Sequence, residues 1–147
     1  MNGWLNINKG SGYSSTSLLN KIKKQYKLKK IGHLGTLDPL ATGVLPIAIG
    51  EATKTINFIS EKIKSYEFII KWGEETDTYD EEGTILRTSK KRPIEEDIYE
   101  VISKFFLGEI SQTPPNYSAV KVNGERAYKL ARKNIKFNLI EKNITIF

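Results

Sequence analysis

The chain has 147 residues, 39% apolar and 27% charged, which is enough for a folded core and excludes a disordered or fibrous class. With no cysteine and a single histidine, His33, it has no means of building disulfides, thiolate metal sites or His-rich metal sites. The formal net charge is +6, and the whole excess lies in residues 1–50, which hold seven lysines and one acid, Asp38. The remaining residues carry 16 basic and 16 acidic side chains. A one-sided basic field favours a polyanion such as nucleic acid, because phosphate contacts release counterions. A solvated lysine-rich helix face fits the same count. The N-terminus has no apolar signal core, and the longest apolar run, Gly43–Gly50, is too short to span a bilayer. The expectation is a cytoplasmic protein with no membrane contact.

In chain order, Gly3 to Ile7 reads as a short strand, followed by a Gly/Ser-rich loop, Lys9–Ser15. Ser14, Ser15 or Thr16 is placed to cap a helix in which Leu18, Leu19, Ile22 and Tyr26 share one side. Ile31–Gly43 reads as turn-rich, Glu51–Ile59 as helical, and Ser65–Trp72 as a strand in which Tyr66, Phe68 and Ile70 alternate with polar residues. Gly73–Gly83 is an acidic turn and Thr84–Arg87 a strand. Pro93 opens a helix with acids in its first turn and Ile98, Val101, Ile102, Phe105 and Phe106 as its apolar stripe. Gln112–Asn116 is a loop, Ser118–Val122 a strand, Asn123–Gly124 a tight turn and Glu125–Lys133 a short helix. Ile135–Phe147 alternates as one or two strands without an evident partner, so the chain reads as cut at its C-terminus. The fold class expected is α/β (α+β), a mixed, mainly antiparallel sheet with flanking helices, in one domain over residues 1–147.

The chemically pointed stretch is Gly32-His33-Leu34-Gly35-Thr36-Leu37-Asp38-Pro39-Leu40-Ala41-Thr42-Gly43. Asp38 is the only acid in a long basic neighbourhood, and Pro39 holds it away from helical backbone. Leu37 and Leu40 surround it with apolar side chains. A carboxylate on a stiff loop amid cations is a candidate nucleophile. An Asp-Pro pair among glycines is also the signature of an ordinary turn. The acids at Asp77 and Asp80 do not follow calcium-loop spacing, and a solvated turn is the expectation there.

Residues 32–43 closely resemble the catalytic motif of TruB-type tRNA pseudouridine synthases, and the match runs on through Val44–Ile47 and Gly50–Lys54. Further blocks follow in family order. Lys9–Ser15 resembles the N-terminal motif, Ser65–Phe68 the strand carrying an active-site tyrosine, and Thr76–Gly83 the acidic turn. Pro115–Gly124, with Ala127-Tyr128 and Ala131-Arg132, resembles a later signature. Leu40–Gly43 and Leu45-Pro46 have the bacterial wording.

The resemblance implies a pseudouridine-synthase-like fold and an RNA isomerase that detaches uracil from its ribose, turns it and rejoins it through carbon 5. By position it makes Asp38 the nucleophile, attacking either the sugar or the base, and Tyr66 the aromatic that stacks on the target base. His33 becomes the residue that helps displace and hold the target nucleotide. Lys9 becomes a supporting residue of the substrate site. It implies the T arm of tRNA as partner, no obligate protein partner, and neither metal nor organic cofactor. Gly10 stands where the family has proline, and Asn134 near a usual glycine. The family's catalytic domain also continues beyond this length, through an arginine that pairs with the nucleophile, a tyrosine and a leucine of the pocket, and a small C-terminal RNA-binding domain. The expectation is therefore a C-terminally incomplete catalytic domain, weakly active or inactive alone. A non-catalytic RNA-binding module is the main alternative. A carboxylate glycoside hydrolase ranks lower, because it needs a second facing carboxyl group.

Overall fold

The structure, a computed structural model, describes residues 1–59 and 63–147. The chain divides into two compact units, Met1–Glu67 and Phe68–Phe147.

The first unit is built on a three-stranded antiparallel sheet in the order β1-β3-β2, with β1 at Gly3–Lys9, β2 at Ile31–His33 and β3 at Gly43–Ile49. Helix α1 (Ser15–Gln25) lies between β1 and β2 in sequence, and a 3-10 turn at Gly50–Thr55 follows β3. Ser14 caps α1, its Oγ accepting from the Ser17 N–H at 3.0 Å. Ile7 pairs with Leu45, Ile31 with Ile49 and His33 with Ile47. Directly paired residues share a face, so these alternate positions all point to one side of the sheet. On that side Leu19 and Ile22 of α1 pack onto Leu45, Ile47 and Ile49, and Ile7, Leu18, Leu28, Ile31 and Leu37 close the edges. Each fully buried aliphatic side chain stabilises by about 1.5–3 kcal/mol. On the other face, Gly32 pairs with Ala48, and a Cβ at Gly32 would lie 2.7 Å from Ile56 Cδ1, so glycine allows that close cover.

β3 carries a proline at the centre of the sheet. Pro46 accepts from the Leu34 N–H at 2.9 Å but has no N–H to return. The pair Leu34/Pro46 keeps one bond of two, and β2 stops at His33. The chain is thereby released into the loop 34–42.

The second unit holds three separate antiparallel pairs: β4 (Glu74–Thr76) with β5 (Ile85–Thr88), β6 (Gly108–Gln112) with β9 (Lys142–Ile146), and β7 (Lys121–Val122) with β8 (Glu125–Arg126). Helix α2 covers Glu95–Phe105 and α3 covers Ala127–Arg132. Asn123 and Gly124 both have positive φ, 49° and 87°, as a two-residue hairpin turn requires.

The mixed α/β, antiparallel expectation holds, and several elements differ from the sequence reading. Ser65–Trp72 forms no strand and pairs with no sheet among the described residues, because alternation supplies two faces and not a hydrogen-bonding neighbour. The helix expected over Glu51–Ile59 is the shorter 3-10 turn. The strand expected over Ser118–Val122 shrinks to β7. The C-terminal strand does have a partner, β6, which had no strand signal of its own because Gly108 and Gln112 bound a run of mixed polarity. Tyr26 is not on the buried side of α1: it caps the C-terminus and is 59% exposed.

Candidate active site

At one end of the first unit's sheet β1 ends at Lys9 opposite Gly43, where β3 begins, and α1 follows from Ser15; β2 runs toward that end but stops at His33, beside Ile47 and four residues short of Gly43. The loop 34–42, carrying Asp38, joins β2 to β3 across this end.

Asp38 is exposed, and the residues on both sides of it are clamped. On one side, Leu37 packs its side chain against the core. Its backbone makes two bonds to one hydroxyl: Ser15 Oγ donates to the Leu37 carbonyl at 2.9 Å and accepts from the Leu37 N–H at 3.0 Å. Ser15 is 2% exposed. On the other side, the Pro39 carbonyl accepts from the Gly12 N–H at 2.8 Å and from Lys9 Nζ at 3.3 Å. Between the clamps, the Asp38 carbonyl accepts from the Ala41 N–H at 3.1 Å, closing a turn with Pro39 at its second position. The turn expected from Asp-Pro is present, and it carries the Asp38 side chain.

Lys9 is 1% exposed. Its ammonium donates to the carbonyls of Gly10 (3.0 Å), Tyr13 (2.8 Å) and Pro39 (3.3 Å). A lysine has three donors, and all are used. Lys9 thus braces both loops, and its charge lies beside the Asp38 loop without contacting the carboxylate. Among the described residues Asp38 forms no ion pair. Nor is it wrapped by Leu37 and Leu40: Leu37 turns to the core, leaving the carboxylate facing water.

His33 is half-buried at the end of β2, on the same face as Lys9. Its Nδ1 bonds the Gly35 carbonyl. A carbonyl only accepts, so Nδ1 carries the hydrogen and Nε2 is left for another partner. Gly35 has φ +75°, a conformation that glycine adopts without strain. Tyr66 is not gathered into this cluster. Its side chain is 69% exposed, and no hydrogen bond among the described residues joins it to the Asp38 loop. Hydrogen bonds thus tie Lys9 to Pro39 and His33 to Gly35 on the loop that carries Asp38, and none among the described residues joins Tyr66 to that loop. Sequence reasoning missed Ser15 as a clamp and took it for a possible helix cap. Its place in the Lys9–Ser15 block was the available signal.

The acidic turn, in the second unit, is occupied with itself. Asp77 Oδ1 accepts from the Thr84 N–H at 2.8 Å, and Asp80 Oδ1 accepts from Thr78 Oγ1 (2.6 Å) and the Glu82 N–H (3.0 Å). Among the described residues no group of three or more His, Cys, Asp or Glu side chains is arranged to hold a metal. No described helix is long and apolar enough to cross a membrane.

Residues 23–147 match the family described as TruB family pseudouridylate synthase (N terminal domain). A tRNA pseudouridine synthase B of Wolbachia pipientis subsp. Culex pipiens (strain wPip) is 53% identical over 146 residues, which is 99% of this chain and 41% of the relative. That of Anaplasma phagocytophilum (strain HZ) is 52% identical over 144 residues, 98% of this chain and 47% of the relative. This chain thus spans less than half the length of these curated relatives. A crystal structure of a Cbf5-Nop10-Gar1 complex is similar with a TM-score of 0.54 at 31% identity, over 81% of this chain and 31% of that one. With residues 23–147 matched by the family description, the chain belongs to the TruB family of pseudouridylate synthases.

Proposed function

We propose that this chain is the nucleophile-bearing part of a cytoplasmic tRNA pseudouridine synthase that isomerises a uridine in the T loop. The observation that carries the reading is the double clamp on Asp38. A loop fixed through Leu37 and through Pro39 presents one carboxylate to solvent with its backbone already ordered. Preorganisation of this kind lowers the barrier by removing the cost of orienting the group during reaction. Asp38 attacks the sugar or the base of the target nucleotide, the N1–C1′ bond breaks, carbon 5 of the turned uracil bonds to C1′, the bond to Asp38 is released, and the carbon 5 hydrogen leaves as a proton while N1 gains one. His33, with Nε2 uncommitted, hydrogen-bonds the displaced nucleotide. Tyr66 stacks on the flipped base, as aromatic side chains do with unpaired RNA bases.

The absence of an ion pair at Asp38 among the described residues favours a second reading, in which residues 1–147 alone bind RNA and turn over poorly. Tritium release from tRNA labelled at carbon 5 of uridine separates the two, because isomerisation frees that hydrogen. Slow release by the wild-type chain and none by Asp38→Ala is the expected result. Equal release by both would remove Asp38 from the chemistry. No release, from a chain that still binds tRNA, would leave the binding module.

A further inference from the structure

The end of the sheet opposite Asp38 is a second concave site. There β1 begins, β2 is entered from Lys30, and β3 ends at Ile49. A cleft of about 470 Å³ opens between them, bordered by Tyr26, Lys27, Lys29, Lys30, Gly50 and Glu51. β3 separates this cleft from the Asp38 loop by about 20 Å, at roughly 3.4 Å per residue.

Its charge is one-sided. Glu51 is the only acid on the rim, and it is engaged by Lys54 at 2.5 Å and Lys30 at 3.9 Å. The Lys54 ammonium, with Lys30 adding to it, holds the Glu51 carboxyl below the ordinary carboxylate range. Lys27 and Lys29 have no carboxylate partner among the described residues. Lysines in the last turn of a helix are explained by the helix dipole, and Lys23 and Lys24 serve there. Lys27 and Lys29 lie beyond that turn and are not explained by it.

Lys27 is also conformationally out of place. It has φ +50° just past the cap of α1, where the Leu28 N–H reaches back to the Lys23 carbonyl at 2.9 Å. Glycine is the usual residue in that position, and a side chain there carries strain. A strained lysine on the rim of a basic cleft, next to an exposed tyrosine, points to a role for the side chain.

We infer that this cleft grips the phosphate backbone of the RNA at a distance from the reacting uridine, with Lys27 and Lys29 on phosphate oxygens and Tyr26 against the ribose or base beside them. The inference rests on the RNA-modifying reading above and adds to it a second contact point that carries no sequence information.

The test is tRNA affinity as a function of salt for wild type, Lys27→Gly, Lys27→Gly/Lys29→Gln and Lys90→Gln. The double variant is expected to lose roughly 1.4–1.8 units of the log–log salt slope, at 0.7–0.9 per phosphate contact, and about ten-fold in affinity. The loss should be the same on tRNA whose target uridine is replaced by cytidine. Lys90→Gln should keep the wild-type slope. Lys27→Gly alone should melt higher than wild type, because it removes the strain, and still bind more weakly. A purely structural lysine would not give that combination. An unchanged slope in the double variant overturns the cleft while the proposed function stands. Failure of the wild-type chain to bind tRNA overturns both.

Discussion

Lys9 and Ser15 do their work through backbone atoms of other residues, so their removal should damage geometry more than binding. Lys9→Met keeps the length and apolar stem but leaves the carbonyls of Gly10, Tyr13 and Pro39 without that donor. A loss of about 1–3 kcal/mol in chemical denaturation is expected, together with slower tritium release at nearly unchanged tRNA affinity. If release is unaffected in a destabilised variant, Lys9 is structural and does not position Asp38. Ser15→Ala should cost about 1–2 kcal/mol through the loss of both bonds to Leu37. Neither role could be read from residue type. A lysine near a strand end predicts solvent exposure, and a serine before a helix predicts a cap. What the sequence did display was the identity of the Asp38 loop, because its glycines, its proline and its lone acid are local features. Burial of Lys9 depends on the 39th residue folding back over the ninth, which no local pattern records.

At the scale of elements, β3 was hidden and Ser65–Trp72 was over-read for related reasons. Proline within Gly43–Ile49 argues against a central strand, and only the observed register shows that its missing N–H falls where β2 has ended. Pro46→Ala restores that N–H and should extend β2 by one pair. Hydrogen exchange at position 46 should then be slow, and tritium release should fall because the loop is shortened at its root. Fast exchange at 46 would show that the loop leaves β2 for another reason. Gly50, with φ +61°, has the opposite tolerance. A Cβ there would lie 2.0 Å from Asn2 Oδ1 and 2.6 Å from the Met1 carbonyl. Gly50→Ala should therefore cost about 1–3 kcal/mol, read from the urea midpoint, through both the left-handed backbone and the displaced Asn2.

For the whole molecule, the charge map was legible and the surface was not. Seven lysines against one acid in residues 1–50 put the basic excess in the unit that carries the Asp38 loop. The apolar stripe expected along α2 is present as sequence, but Ile102, Phe105 and Phe106 are 40%, 57% and 50% exposed. Periodicity predicts a face and not what covers it. An apolar surface of this kind should enhance the fluorescence of a hydrophobic dye, and Phe105→Lys should reduce that signal without lowering the melting temperature. A signal unchanged by the substitution would place the dye elsewhere.

The saturation of the Lys9 ammonium also has a consequence for chemical labelling. Amine-reactive reagents need an accessible, uncommitted nitrogen, which Lys23, Lys24, Lys27 and Lys29 offer and Lys9 does not. A mass-spectrometric time course should therefore show Lys9 modified last among the lysines of the first unit. Its rate of modification measures how often the Asp38 loop lets go, and bound RNA should slow it further without touching the nitrogen at all.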